Sequence, residues 1–116
     1  MSFRPEKVAN EIKKVLALPV VNISNEIKAG FATLTSVRIS KDLQNAKLYI
    51  SLFGKDSEPG LLISELEKRR GELRLIIGKE LRLKNVPDLK FYFDDTLDRI
   101  EHIQSILSNV KNNDSE

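Results

Sequence analysis

The sequence predicts an α+β fold, a three-stranded sheet with helices packed on one face, and three observations carry that prediction. Two segments alternate apolar and polar residues: Ala46, Leu48, Ile50 and Leu52 are separated by Lys47, Tyr49 and Ser51, and Leu89, Phe91 and Phe93 by Lys90 and Tyr92. A period of two marks a strand with one buried face. Other segments repeat apolar residues at the period of a helix, and prolines and polar turns punctuate the boundaries. The resulting order is helix, strand, strand, kinked helix pair, strand, helix, which a single two-layer sandwich satisfies.

The first helix is predicted over about Pro5 to Leu18. Val8, Ile12, Val15 and Leu16 form its apolar stripe, while Lys7, Glu11 and Lys14 share another face. Pro5 suits a first-turn position, and Pro19 is expected to end the helix. Ala32 to Ile39, rich in Thr and Val, reads as a strand. Ser40-Lys41-Asp42-Leu43-Gln44 supplies a polar turn into the alternating segment at Ala46, so the two strands should pair as an antiparallel hairpin. The run from Gly54 to Gly60 is an exposed loop.

Residues 61–83 form a second helical region that contains a fault. Leu62, Leu66, Leu73, Ile76 and Ile77 lie on one face. A straight helix would set Arg69 and Arg70 inside that stripe, and two unpaired guanidiniums facing a core are very costly. The helix is therefore predicted to break between about Lys68 and Glu72, with Gly71 easing the kink and Arg69 or Arg70 turned to solvent. Pro87 closes the region and a third strand follows at Leu89. Asp95 or Thr96 can cap a last helix carrying Leu97, Ile100, Ile103, Ile106, Leu107 and Val110 on its apolar side. Residues 1–110 are expected to form a single domain and 111–116 a flexible tail.

Composition narrows the function. The chain has 116 residues, 41% of them hydrophobic and 31% charged, enough for one modest core under a well-solvated surface. Cysteine is absent, so disulfides, thiolate metal sites and cysteine nucleophiles are excluded. The N-terminus turns charged at once, and no stretch has the length of a membrane span, so a cytoplasmic protein is expected. The net charge is only +2, but residues 1–90 carry 17 of the 19 Lys and Arg against 11 of the 17 Asp and Glu. A basic body with an acidic tail suits a polyanion partner; the alternative is a charged surface that serves solubility alone.

Catalytic groups are few. His102 is the only histidine, and no serine or carboxylate can be placed beside it from sequence, so it reads as a surface residue. Neighbouring side chains at a strand end point apart, so Asp94 and Asp95 read as capping and solvated groups rather than an acid–base pair. One histidine with scattered carboxylates makes no metal site, and Gly71 and Gly78 lack the spacing of a phosphate-binding loop. No cofactor and no enzymatic activity are expected.

Basic charge instead concentrates around the predicted kink. Lys68, Arg69, Arg70, Arg74, Lys79, Arg82 and Lys84 stand against Glu72 and Glu80. Beyond the kink Gly71, Gly78 and Arg82 share one side of the helix, with Arg74 at its edge. Glycines there would let a phosphate backbone approach, and arginines would supply forked donors. The competing reading is a solvated face whose glycines serve helix packing. Exposed aromatics are scarce, Tyr49, Phe53 and Tyr92 at most, so backbone recognition fits better than base reading.

At these residues the chain resembles the bacterial ribosome-binding factor A family, along nearly its whole length. Gly78, Leu81, Arg82, Pro87, Leu89, Phe91, Asp94 and Thr96 are similar to the family's basic helix end, proline and aromatic strand. Phe3-Arg4 with Lys7-Val8 is similar to its N-terminal motif. Val37-Arg38-Ile39-Ser40-Lys41-Asp42-Leu43 and Ala46-Lys47-Leu48-Tyr49-Ile50 are similar to its hairpin. The resemblance implies a type II KH-like fold in which a kinked helix pair replaces the Gly-x-x-Gly loop. The family marks the kink with Ala-x-Gly, and here the triplet is Arg69-Arg70-Gly71; Lys84 and Thr96 stand where arginine and serine are usual.

The resemblance also implies a non-catalytic factor that binds the small ribosomal subunit and its rRNA late in maturation. Such a factor assists rRNA processing and growth in the cold, and acts, as a monomer, alongside assembly GTPases. The expected RNA-binding residues are Arg4, Lys7, Arg38, Lys41, Arg69, Arg70, Gly71, Arg74, Gly78, Lys79, Arg82 and Lys84. Two rivals stand beside this reading: a KH-like module for other RNA, and a protein-interaction domain that uses the apolar C-terminal helix. Salt separates phosphate binding from an apolar interface.

Overall fold

Pro19 does not stop the first helix. In the computed structural model, which describes residues 4–54 and 56–94, α1 runs from Pro5 to Ile27 with Pro19 inside it. A proline in a helix interior costs about 3 kcal/mol through its missing N–H and its crowded ring. The stripe of Ile12 and Leu16 continues beyond it in Val20 and Ile23, all four buried. Fully burying such side chains contributes about 1.5–3 kcal/mol each, so Val20 and Ile23 together offset the proline. The helix ends at Lys28, which adopts a left-handed φ of 57°. Buried Ser24 donates its hydroxyl to the Gly30 carbonyl at 2.7 Å and closes the turn. Gly30 has φ 132°, and a Cβ there would meet the Phe53 carbonyl oxygen and Ser57 at 3.3 Å, so glycine lets the chain pass close under the sheet end.

The hairpin forms as the alternation predicts. Strand β1 (Phe31–Ile39) and strand β2 (Asn45–Phe53) pair antiparallel, from Phe31 opposite Phe53 to Ile39 opposite Ala46, with a bulge between Leu34 and Ser36. In the turn between them Asp42 accepts the Ser40 hydroxyl and, at 3.1 Å, the Gln44 N–H. These donors, the Ser40 hydroxyl foremost, hold the Asp42 carboxyl below its ordinary value.

After the loop the chain forms α2 (Pro59–Lys68) and α3 (Arg70–Leu81), then strand β3 (Asp88–Phe93). The two helices carry the chain back over the sheet, so β3 joins β2 in parallel, from Asn45 opposite Asp88 to Ile50 opposite Phe93. The sheet order is β1-β2-β3, with β2 central. One core fills the space between layers: Ala46, Leu48, Ile50 and Leu52 of β2 meet the α1 stripe and Leu62, Leu66, Leu73 and Ile77 of α2 and α3. The opposite face of the sheet carries no helix among the described residues. The expected last helix and tail lie outside the described residues.

Candidate nucleic-acid interface

The helix breaks at Arg69, whose φ of −97° and ψ of 15° leave the helical range between α2 and α3. The break itself is as expected, but its means differ. Gly71 lies within α3, exposed, with nothing near a hypothetical Cβ, so it does not make the kink. Neither arginine is simply turned to solvent. Arg69 is only 28% exposed: its Nη1 lies 2.8 Å from Glu26 Oε2 and its Nε donates to Glu65 Oε1 at 2.9 Å. Those carboxylates, Glu65 first, raise its pKa further above the ordinary arginine value. Arg70 is half-buried, and its buried Nε has no hydrogen-bond partner among the described residues. The charge at the break is met by two glutamates, which sets Arg69 apart from cations without a carboxylate partner.

Past the break, α3 and the connection to β3 enclose a groove. Gly71, Arg74, Leu75, Gly78 and Lys79 line it from the helix, and Lys84, Asn85 and Val86 from the connection; none is acidic. Arg74 braces the wall: its Nη2 donates to the Val86 carbonyl at 3.0 Å and its Nε to the Pro87 carbonyl at 3.3 Å. Carbonyls satisfy a guanidinium without neutralising it, so Arg74, unlike Arg69, keeps its net charge beside the groove. Gly78 serves packing: a Cβ would press on Val86 Cγ2 at 3.1 Å, so its bareness admits the connection rather than a ligand. A second depression shares Arg74 and Lys84 with the groove and extends toward Asp42 and Asp88, where the charge turns acidic.

The other expected residues disperse. Arg82, exposed, is the C-cap of α3 with φ 53° and does not line the groove. Arg4 stands just before α1, and exposed Lys7 reaches the end of α3 beside Leu81 and Leu83. Lys41 is exposed in the hairpin turn, and Arg38 lies on the outer sheet face, its guanidinium 5.8 Å from the centre of the Tyr49 ring. Groove residues that the sequence reading missed are Leu75, which is 75% exposed, Asn85 and Val86. An unburied leucine out of phase with the apolar stripe was the signal available for Leu75.

Nothing at this site gathers catalytic groups. Asp94 lies 2.9 Å from the Thr35 hydroxyl and its N–H donates to the Ile50 carbonyl, which ties the end of β3 across the sheet. Asp95 and His102 lie outside the described residues. No group of three or more His, Asp or Glu able to hold a metal occurs among the described residues, and no helix among them is long and apolar enough to cross a membrane.

A sheet ordered β1-β2-β3, a parallel third strand and a broken helix pair covering one face define a KH-like α+β domain. A family model described as ribosome-binding factor A matches residues 4–107, and the chain belongs to that family. The ribosome-binding factor A of Brevibacillus brevis is 38% identical over 107 residues, covering 92% of this chain and 88% of its own. That of Desulforamulus reducens is 36% identical over 115 residues, 99% and 96% of the two chains. Among solved structures, crystalline ribosome-binding factor A from Thermus thermophilus superposes with a TM-score of 0.66 at 20% identity, over 78% of this chain and 96% of that one. A homology model of the Thermus thermophilus protein, fitted into an electron cryo-microscopy map of a 30S complex, gives 0.65 at 21% identity, over 78% and 94% of the two chains.

Proposed function

We propose that this protein is a non-catalytic assembly factor that binds the small ribosomal subunit, with the phosphate backbone of its rRNA lying along the α3 groove. The observation that carries the reading is the convergence of Arg74, Lys79 and Lys84 on a groove without a carboxylate in its lining. Phosphates contribute affinity through such cations, and the exposed Gly71 leaves room for the backbone to approach. Membership of the family and a relative fitted into a 30S complex support the choice of partner. In this reading the factor works in the cytoplasm as a monomer late in subunit maturation. There it assists rRNA processing and growth in the cold beside assembly GTPases, and leaves before translation begins.

Sedimentation of tagged protein with ribosomal particles tests the reading. The protein is expected with free small subunits and not with assembled ribosomes. Lys79→Glu with Lys84→Glu should weaken small-subunit binding at least tenfold, about 1.4 kcal/mol. Reversal of Lys13 on α1 and Lys28 at its C-cap, both outside the groove, should cost little. Equal losses from both pairs mean diffuse charge, and no loss from either favours an apolar protein interface.

A further inference from the structure

The outer face of the sheet carries a second concentration of cations that the groove does not use. The register sets Arg38 opposite Lys47 and Lys47 opposite Lys90, so three basic residues cross all three strands in one row. Strands lie about 4.8 Å apart, and like charges at that separation repel. All three are exposed, and none has an ion pair among the described residues. The adjoining row holds Asn45 and Asp88, and Asp88 accepts the N–H of Leu89. A self-repelling row of this kind is a standing attraction for an anion.

Directly beside it lies an aromatic ladder. Tyr49 and Tyr92 stack across β2 and β3 with ring centres 5.5 Å apart and planes 24° from parallel. The Arg38 guanidinium stands 5.8 Å from the Tyr49 ring centre, and Tyr92 sits on an edge strand at the ladder's end. Further along the same face Phe31 and Phe53 face each other across β1 and β2, 75% and 54% exposed. Exposed rings beside unpaired cations are the makings of a single-strand platform, on which bases stack while phosphates meet the basic row. A duplex keeps its bases inside its own stack and cannot use the rings.

We infer that the outer sheet face is a second RNA contact, which takes an unpaired RNA segment with a base against Tyr92 and phosphates at Lys47 and Lys90. The inference rests on the reading above that the protein binds RNA, and adds the class of RNA and a surface apart from the groove.

The chain's composition supplies a direct probe. Tyr49 and Tyr92 are its only tyrosines and it has no tryptophan, so tyrosine emission of the full-length protein reports on this ladder alone. A single-stranded oligoadenylate of about ten nucleotides, within the usual span of such platforms, should quench that emission saturably, with the midpoint seen by anisotropy of the labelled strand. Tyr92→Leu should weaken binding at least roughly tenfold, whereas Tyr92→Phe keeps the ring and the affinity. Lys47→Glu with Lys90→Glu should weaken binding and flatten its salt dependence, which keeps the test intact if Tyr92→Leu fails to fold by circular dichroism. Lys79→Glu with Lys84→Glu should leave the quenching in place. Oligoadenylate that fails to bind, or binds with tyrosine emission unchanged, overturns the sheet-face inference. If small subunits still bind through the groove, the proposed function survives that result; if they too are not bound, both fall.

Discussion

Arg69 at the helix break and Glu26 near the end of α1 meet at 2.8 Å, a contact between residues far apart in sequence that pins the kink to the first helix. Glu65, one turn back from Arg69, completes the trio. The pairing is possible because α1 runs on past Pro19 and carries Glu26 to the break. Arg69→Ala should therefore lower the melting temperature more than Glu26→Gln, since the second variant leaves the Glu65 pair in place. Small-subunit binding should change little in either, because the arginine's charge is already neutralised. Thermal denaturation beside sedimentation checks both halves, and a loss of binding without a loss of stability would return Arg69 to the interface.

Gly71 and Gly78 should respond oppositely to the same change. Replacing a helical glycine by alanine gains about 0.5–1 kcal/mol of backbone entropy and helix propensity. At Gly71 nothing opposes the new methyl, so Gly71→Ala should stabilise, near the low end of that range because it lies in the first turn of α3. At Gly78 the methyl meets Val86 at 3.1 Å and must displace it, so the gain should shrink or reverse. Function should separate the two again, with Gly71→Ala weakening RNA binding through lost backbone approach. Urea titrations read the first difference and small-subunit affinity the second.

Arg74 and Lys79 share the groove but differ in duty. Arg74 holds two carbonyls of the connection, and hydrogen bonds of this kind contribute about 1 kcal/mol each. Lys79 has no such partner among the described residues. Arg74→Glu should thus cost both stability and binding, whereas Lys79→Glu should cost binding alone. Equal melting temperatures for the two variants would show that Arg74 does not brace the wall.

Asp42 gives the hairpin turn a pH dependence. Its carboxyl has a folded pKa below the ordinary 3.8, because the ionised form accepts the Ser40 hydroxyl and the Gln44 N–H. A depressed acid stabilises the fold fully above its unfolded pKa, and the contribution disappears as pH falls through the folded value. Asp42→Asn should therefore be less stable than the parent at neutral pH, with the gap closing in acid below 3.8. A gap that persists unchanged at the lowest pH would mean that shape, and not charge, holds the turn.

The strands were legible because alternation and burial are one fact seen twice, in Leu48 and Ile50 as in Leu89 and Phe91. The helix break was legible because two guanidiniums could not enter an apolar stripe. Its resolution was not, since nothing local announces that Glu26 arrives at Arg69. Lys79 and Lys84 could be named from crowding alone, but so could Arg82, which stands at the C-cap of α3 and outside the groove lining. Gly78 depends on Val86, a residue of the following connection, and so looked free. Lys47 and Lys90 both stood at polar positions of alternating strands, yet their adjacency needs the parallel register of β2 with β3, a long-range relation.

Salt dependence should apportion the groove's cations. Each phosphate contact displaces condensed counterions, so losing one lowers the slope of log affinity against log salt by about one unit. Lys79→Gln and Lys84→Gln remove charge without adding repulsion, and each should flatten the slope for small-subunit binding by about that amount. Arg69→Gln should leave it unchanged, because Glu26 and Glu65 already neutralise the arginine. Arg74→Gln should flatten it as well, because carbonyl partners leave a guanidinium fully charged. The ordering of the four variants, measured across a salt series by sedimentation, follows from which partner each cation has. A slope near zero for the parent protein would mean that an apolar surface, and not the α3 groove, makes the contact.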